Sequence, residues 1–377
     1  MENLINYVRL RKDISLEEKP FNPVDMLMMA ELAYVDWEDI VNEDKVLLRT
    51  ACKEYITKHD GENLRKKFIY SLSIPELVEN IMESDRYKGV YIQNYKTCYS
   101  EEEKIQFGAV TFELPNKEII FSFRGTDGSI TGWKENMMMT YQDDLACQQF
   151  AKMYIEDYLE SIPETKTFFG LRSKKEIPYF YMTGHSKGGN LAMYAAYTLE
   201  KYDSYLKKVY NFDGPGFRKS FYEKAYKENI VQKIESYIPK GSIIGRLLEH
   251  KENFYIIDSC QKGLSQHDGF SWSVNVDSFV SFDYIESDSD ETLASIDRIL
   301  LSKTKEEREA YIDLIFKVLD QMNIQSISDL TNLDIKRGIN GLLSVRKMNH
   351  DERKFMWEVL NLLMVQSTPV LRGMKKQ

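Results

Sequence analysis

One turn constrains the fold of this chain more than any other feature. Gly184-His185-Ser186-Lys187-Gly188 follows the short, nearly all-apolar run Ile177–Thr183 and leads into helical spacing at Leu191, Tyr194, Ala195 and Leu199. Such a run suits a strand buried on both faces, so the spacing predicts a strand, a tight turn and a helix in immediate succession. The central residue of that turn takes a strained backbone conformation, and its side chain is lifted clear of the sheet edge. Residues two before and two after it crowd each other and must lack side chains, a need met by Gly184 and Gly188. Gly189, Ala192, Ala195 and Ala196 let the helix approach the sheet closely. Ser186, at the tip, is the candidate nucleophile.

The surrounding sequence agrees with a sheet of this kind. Gln106–Leu114 and Glu118–Phe123 are β-rich runs separated by the turn signal Pro115-Asn116-Lys117. Helical spacing follows at Ala146–Ile162. Beyond the turn come a strand at Lys208–Phe212, a helix at Phe217–Lys227 and strands at Ile234–Ile238 and Phe254–Ile257. That alternation predicts an α/β protein with a central, mostly parallel sheet and helices on both faces. Residues 1–100 read as a mainly helical part packed on this core, with Asn22-Pro23-Val24-Asp25 as a helix start. Residues 101–285 form the α/β core, and 286–377 a helical extension. In the extension, Thr304 with Glu307 and Asn349 with Glu352 are capping boxes. The first precedes an apolar face of Tyr311, Leu314, Ile315, Val318, Leu319 and Met322, the second one of Phe355, Val359, Leu362 and Leu363. These faces are expected to pack on the core or on each other.

A serine hydroxyl is too weakly acidic to attack unaided, so a histidine must take its proton. In turns of this type the base follows the nucleophile in sequence, which among the five histidines leaves His250, His267 and His350. His267 lies in the loop after the strand Phe254–Ile257, where a carboxyl-end loop delivers a base beside the serine. His250 follows a predicted helix end, and His350 begins a C-terminal helix. The orienting acid is expected at Asp213, which ends the strand Lys208–Phe212; Glu249 and Asp258 are the alternatives. The loop Pro239-Lys240-Gly241-Ser242, after the next strand, holds no carboxylate. For a tetrahedral oxyanion, the backbone N–H of Lys187 is one expected donor and Thr126, after the β-run in Phe123-Arg124-Gly125-Thr126-Asp127, the other. The Lys187 side chain is expected at the pocket rim, drawing anionic substrates. Trp133 and Met137-Met138-Met139 are candidates for an acyl pocket, a short lid or plain core packing.

Charge and cysteine content exclude other classes. Fifty Lys and Arg against 59 Asp and Glu give a net charge of −9, which disfavours nucleic acid as a partner. The four cysteines, Cys52, Cys98, Cys147 and Cys260, show no CxxC and suit a reducing cytoplasm. The first residues hold no apolar signal core, no stretch is long and apolar enough to span a membrane, and no metal motif or phosphate-cradling glycine loop is present. A soluble, cytoplasmic protein without a cofactor is expected, with a protein partner left open.

With these residues in place, the chain resembles a known group. FRGTD at Phe123–Asp127 and GHSKGG at Gly184–Gly189 look like the oxyanion strand and serine turn of the class-three lipases, which have the α/β-hydrolase fold. PFNPVD at Pro20–Asp25, NFDGPGF at Asn211–Phe217, SIIGRLLEH at Ser242–His250 and QHDGFSW at Gln266–Trp272 are similar to the Mbeg-like hydrolases, a family largely described as a domain of unknown function. The resemblance covers roughly residues 1–285. It implies Ser186 as nucleophile, His267 as base, and Thr126 with Lys187 as oxyanion donors. Lys187 stands where the lipases carry an apolar residue, and their acid after the seventh strand has no counterpart there. The function expected is a serine esterase or lipase-like hydrolase acting on a small ester or thioester through an acyl-enzyme. An inactive ligand- or partner-binding relative and an acyltransferase are the alternatives.

Overall fold

A computed structural model describes residues 2–41, 44–59, 73–167, 172–286, 293, 302–324 and 348–357. Among these residues the central sheet contains nine strands: β1 Val46–Leu47, β2 Tyr91–Ser100, β3 Ile105–Glu113, β4 Ile119–Phe123, β5 Phe180–His185, β6 Leu206–Phe212, β7 Ile234–Pro239, β8 Asn253–Ile257 and β9 Ser281–Phe282. They lie side by side in chain order. β4 to β8 are parallel, whereas β1 to β4 and the β8–β9 pair are antiparallel. The β3–β4 hairpin turns through Lys117, which takes a positive φ of 68°. β2 lies inside the stretch read as helical; its polar side chains and irregular register near Gln93 hide the strand period.

Chain-order parallel strands have a consequence for layering. Right-handed crossovers that always step the same way leave their helices on one face of a sheet. That face carries α6 (Ala146–Ser161), α7 (Lys187–Thr198) and α8 (Lys219–Ala225), packed on Phe121, Phe123, Met182 and Val209. The opposite face would be bare, and the N-terminal segment covers it. α1 (Leu4–Arg11), α2 (Pro23–Leu32), α3 (Leu48–Lys58) and α4 (Ile74–Met82) bury Ile92, Val110, Ile120 and Phe212 in a second core. On that face the hydroxyls of Ser122 and Thr183 donate to the Met29 and Met26 carbonyls of α2, at 2.8 and 3.1 Å.

Helix capping anchors this cover. Asn22 and Asp25 form the predicted N-terminus of α2 as a capping box. Asp25 is also buried against Arg86, with Nη2 2.6 Å and Nε 2.9 Å from its two oxygens, and accepts from the Tyr7 and Tyr87 hydroxyls. Every lone pair of the buried carboxylate thus faces a donor, which is the condition for burying an ion pair at tolerable cost.

The extension packs back on the core. α9 (Lys305–Gln321), started by the Thr304–Glu307 capping box, buries Ile312, Ile315, Phe316 and Leu319 against Ile130 and Met137 of α5 (Ile130–Met138). Lys134 and Asp313 pair across this contact at 3.1 Å. The Asn349–Glu352 box forms as well, and Phe355 is buried; Val359, Leu362 and Leu363 lie outside the described residues. Among the described residues no helix is long and apolar enough to cross a membrane.

Candidate active site

The serine turn joins β5 to α7. Ser186 has φ 57° and ψ −130°, a conformation that costs a non-glycine residue about 1–3 kcal/mol. Its amide donates to the Phe212 carbonyl of β6 at 2.8 Å, which ties the turn to the neighbouring strand end. A Cβ on Gly184 would lie 2.2 Å from the Gly188 carbonyl, and one on Gly188 would lie 2.1 Å from the Phe123 carbonyl of β4. Glycine at both positions is therefore required by backbone contacts, as the sequence spacing implied.

One strand over, β6 ends at Phe212 and the chain turns through Asp213 at a positive φ of 53°. The buried Asp213 carboxylate has partners on both oxygens. Oδ1 accepts from Ser242 Oγ at 2.5 Å and from the Gly245 amide at 3.1 Å, and Oδ2 lies 2.6 Å from His267 Nδ1. A Cβ on Gly245 would fall 2.1 Å from Oδ1. The loop after β7 thus supplies donors to an acid at the end of β6, while its own Glu249 and Glu252 pair with Lys251 and His250.

His267 closes a short 3-10 turn, Gly263–His267, after β8. Trp272 Nε1 donates to the Gln266 carbonyl at 2.8 Å, and Gln266 Oε1 accepts from the Gly241 amide at 3.1 Å, so both sides of the loop are held. His185, the residue before Ser186, donates from Nε2 to the His267 carbonyl at 2.7 Å, and the two imidazoles lie 4.7 Å apart. Burial, reinforced by the neighbouring His267 charge, pushes the His185 pKa well below the usual histidine range. It therefore stays neutral and keeps one proton for that carbonyl while Nδ1 faces the Tyr34 hydroxyl at 3.3 Å. Sequence reasoning set His185 aside because it precedes Ser186, whereas the base in such turns follows the serine.

The other candidates are engaged elsewhere. His250 Nδ1 pairs with the buried Glu252 at 2.7 Å, and His350 is exposed at a helix start. Glu249 pairs with Lys251 at 2.9 Å, while Asp258 accepts from Lys240 at 3.0 Å and from Ser273 at 2.7 Å.

Thr126 lies in the loop after β4, next to Gly125, where a Cβ would fall 2.6 Å from the His185 carbonyl of the serine turn; Lys187 opens α7. The Lys187 amide belongs to the first turn of α7, where backbone N–H groups have no helical acceptor. Its side chain does not stand at a rim. The ammonium is buried, 2.6 Å from the Gln106 carbonyl, 2.5 Å from Gln106 Oε1 and 2.6 Å from Glu135 Oε2. All three protons have acceptors, so the expected attraction of anionic substrates is not available to this group. Met137 and Met139 are buried in packing clusters, and Trp133 packs beside α9. Among the described residues no group of three or more His, Cys, Asp or Glu side chains is arranged to hold a metal ion.

A chain-ordered sheet with five parallel strands, helices on both faces and a strained serine between strand and helix defines an α/β-hydrolase-type fold. The chain belongs to the Mbeg1-like family, whose model matches residues 81–317. Among solved structures it is similar to M37 lipase, at 15% identity and TM-score 0.34 over 59% of this chain and 69% of that one. It is also similar to a lipase from Rhizopus microsporus var. chinensis, at 16% identity and TM-score 0.32 over 59% and 67% of the two chains. The Rhizomucor miehei lipase in its propeptide complex matches at 16% identity and TM-score 0.32, over 54% and 68%. No curated protein matches the chain in sequence.

Proposed function

We propose that the protein is a serine hydrolase that cleaves a carboxylic ester or thioester through an acyl-enzyme. Ser186 Oγ attacks the carbonyl carbon while His267 Nε2 takes its proton. Asp213 holds His267 in the tautomer with the proton on Nδ1 and stabilises the imidazolium that forms. The carbonyl oxygen becomes an oxyanion facing the backbone N–H groups of Thr126 and Lys187. Collapse expels the alcohol or thiol with the proton returned by His267; water then repeats the sequence on the acyl-enzyme, releasing the acid and restoring Ser186.

The observation that carries this reading is the Asp213–His267 contact of 2.6 Å beside a serine at φ 57°. A buried carboxylate given two further donors and a histidine, one strand from a strained serine, has a use in nucleophilic catalysis that a packing role does not require. The test is covalent labelling by a fluorophosphonate, followed by turnover of a panel of esters and thioesters. Wild type is expected to label once per chain and Ser186→Ala not at all, with both proteins melting alike. Labelling that persists in folded Ser186→Ala would sink the assignment.

A further inference from the structure

We infer that Lys187, Gln106, Glu135 and Asn136 form a buried positioning network that sets both oxyanion donors; this rests on the serine-hydrolase reading above. Taking two charges out of water costs several kcal/mol per ion, and an apolar residue after the serine would pack without that cost. The Lys187–Glu135 pair nevertheless lies at the serine turn, with both side chains fully buried. Its value must lie in what its fixed geometry holds in place.

The connections run to both donors. Lys187 is the residue whose amide is the first donor, and its ammonium binds the Gln106 carbonyl and Oε1 on β3. Gln106 is held in turn from its own amide by Glu135 Oε2 at 3.1 Å. With Oε1 committed to Lys187, the Gln106 side chain directs Nε2 to the Gly125 carbonyl at 3.3 Å. That carbonyl shares a planar peptide with the Thr126 N–H, and the two point in opposite directions. Orienting the Gly125 oxygen therefore orients the second donor. Gly125 adapts to this because it has no side chain; a Cβ would lie 2.1 Å from the Tyr34 hydroxyl and 2.6 Å from the His185 carbonyl. From the other side, Asn136 Nδ2 donates to Thr126 Oγ1 at 2.8 Å. Glu135 and Asn136 are consecutive on α5, so a single helix grips the lysine beside one donor and the threonine that carries the other.

These are positioning residues, since none of their side chains is placed to touch the reacting atoms. The test compares Gln106→Leu, which removes the link to Gly125, with Asn136→Ala, which removes the link to the Thr126 hydroxyl at a half-buried position. For a small neutral ester, kcat is expected to fall about tenfold to a hundredfold in Gln106→Leu and several-fold in Asn136→Ala, short of the roughly 10²–10³ for deleting a donor outright. KM should hold within about twofold, as for interactions made only in the transition state. Inhibition by a trifluoromethyl ketone, whose adduct carries the oxyanion, should weaken in step with kcat/KM; the unreactive methyl carbinol should bind as before. A purely structural role would lower the melting temperature without moving the ratio of the two inhibitors, and that result overturns the inference while leaving the hydrolase reading intact. Should Gln106→Leu fail to fold, Asn136→Ala decides alone by the same ratio. Wild type that never labels at Ser186 would overturn the hydrolase reading itself and this inference with it.

Discussion

Asp213 and His267 meet at 2.6 Å across 54 residues of sequence, each fixed by the end of a different strand. The contact is charge-assisted, and the second Asp213 oxygen is fully used by Ser242 and Gly245. Asp213→Asn has one oxygen: kept on Ser242 and Gly245, it leaves an N–H facing His267, and turned to His267 without charge, it leaves an N–H facing the Gly245 amide. We expect kcat to fall by about 10³–10⁴ with the fold intact, the usual size for loss of the orienting acid. Glu249→Gln and Asp258→Asn, whose carboxylates pair with lysines, should stay within a few-fold of wild type. Steady-state kinetics with melting curves on the three variants checks this, and a large loss confined to Glu249 or Asp258 would move the acid.

Two of the three candidate histidines should separate cleanly. His267→Ala is expected to lower turnover by several orders of magnitude with little change in stability. His250→Ala should do the reverse, because it strips the partner from the buried Glu252 carboxylate. Burial favours the neutral form of Glu252, yet the hydrogen bonds from His250 and Ser236 hold its pKa below the ordinary value. A depressed carboxylate contributes stability above its unfolded pKa and loses it as pH falls through the folded one. The destabilisation of His250→Ala, about 1–3 kcal/mol by chemical denaturation, should therefore be present at pH 7 and shrink below about pH 4.

Glycines at the turn offer a steric test. Gly188→Ala would press a methyl to 2.1 Å from a β4 carbonyl, where only backbone movement gives relief, and should cost at least about 3 kcal/mol or prevent folding. Gly263→Ala, at φ +56° with open space around it, should cost only the backbone term of about 1–2 kcal/mol. Similar losses in both would contradict the close packing of the turn against β4.

Asp268 gives a prediction in pH. Burial pushes its carboxyl up from 3.8 to about 6 despite the Phe270 amide and the neighbouring His267. A carboxylate raised in the folded state contributes most below its unfolded pKa, and that contribution is lost as pH rises through about 6. Asp268→Asn keeps the acceptor for the Phe270 amide and should be more stable than wild type at pH 7, by of the order of 2 kcal/mol. The gap should close by about pH 4. A constant difference from pH 4 to 8 in thermal melts would contradict it.

Lys187→Met should leave Glu135 buried without a counter-ion, at a cost of about 3–5 kcal/mol, and adding Glu135→Gln should recover much of it. Because the ammonium is buried, KM for matched anionic and neutral esters should shift equally in the double variant at low salt. A selective rise for the anionic ester would return Lys187 to the pocket rim.

What the sequence determined is what short-range physics encodes. Gly184 and Gly188 at fixed offsets around Ser186 specify a turn that sterics alone demand, and the β3–β4 hairpin, the parallel strands and the capping boxes at Asn22 and Thr304 follow from periods and caps read within a dozen residues. β2 escaped because its polar residues and register shift blur the period of two. Among Asp213, Glu249 and Asp258 no local signal separates a histidine partner from a lysine partner; strand order brings Asp213 to His267, and leaves Glu249 and Asp258 to Lys251 and Lys240. The Lys187 side chain is the sharpest case. A lysine opening a helix reads as solvated, yet its partners Gln106 and Glu135 lie 81 and 52 residues earlier and reach it only once β3, β4 and α5 have assembled. Local sterics write the turn into the sequence, while the pairing of buried charges depends on sheet register, which only the tertiary structure decides.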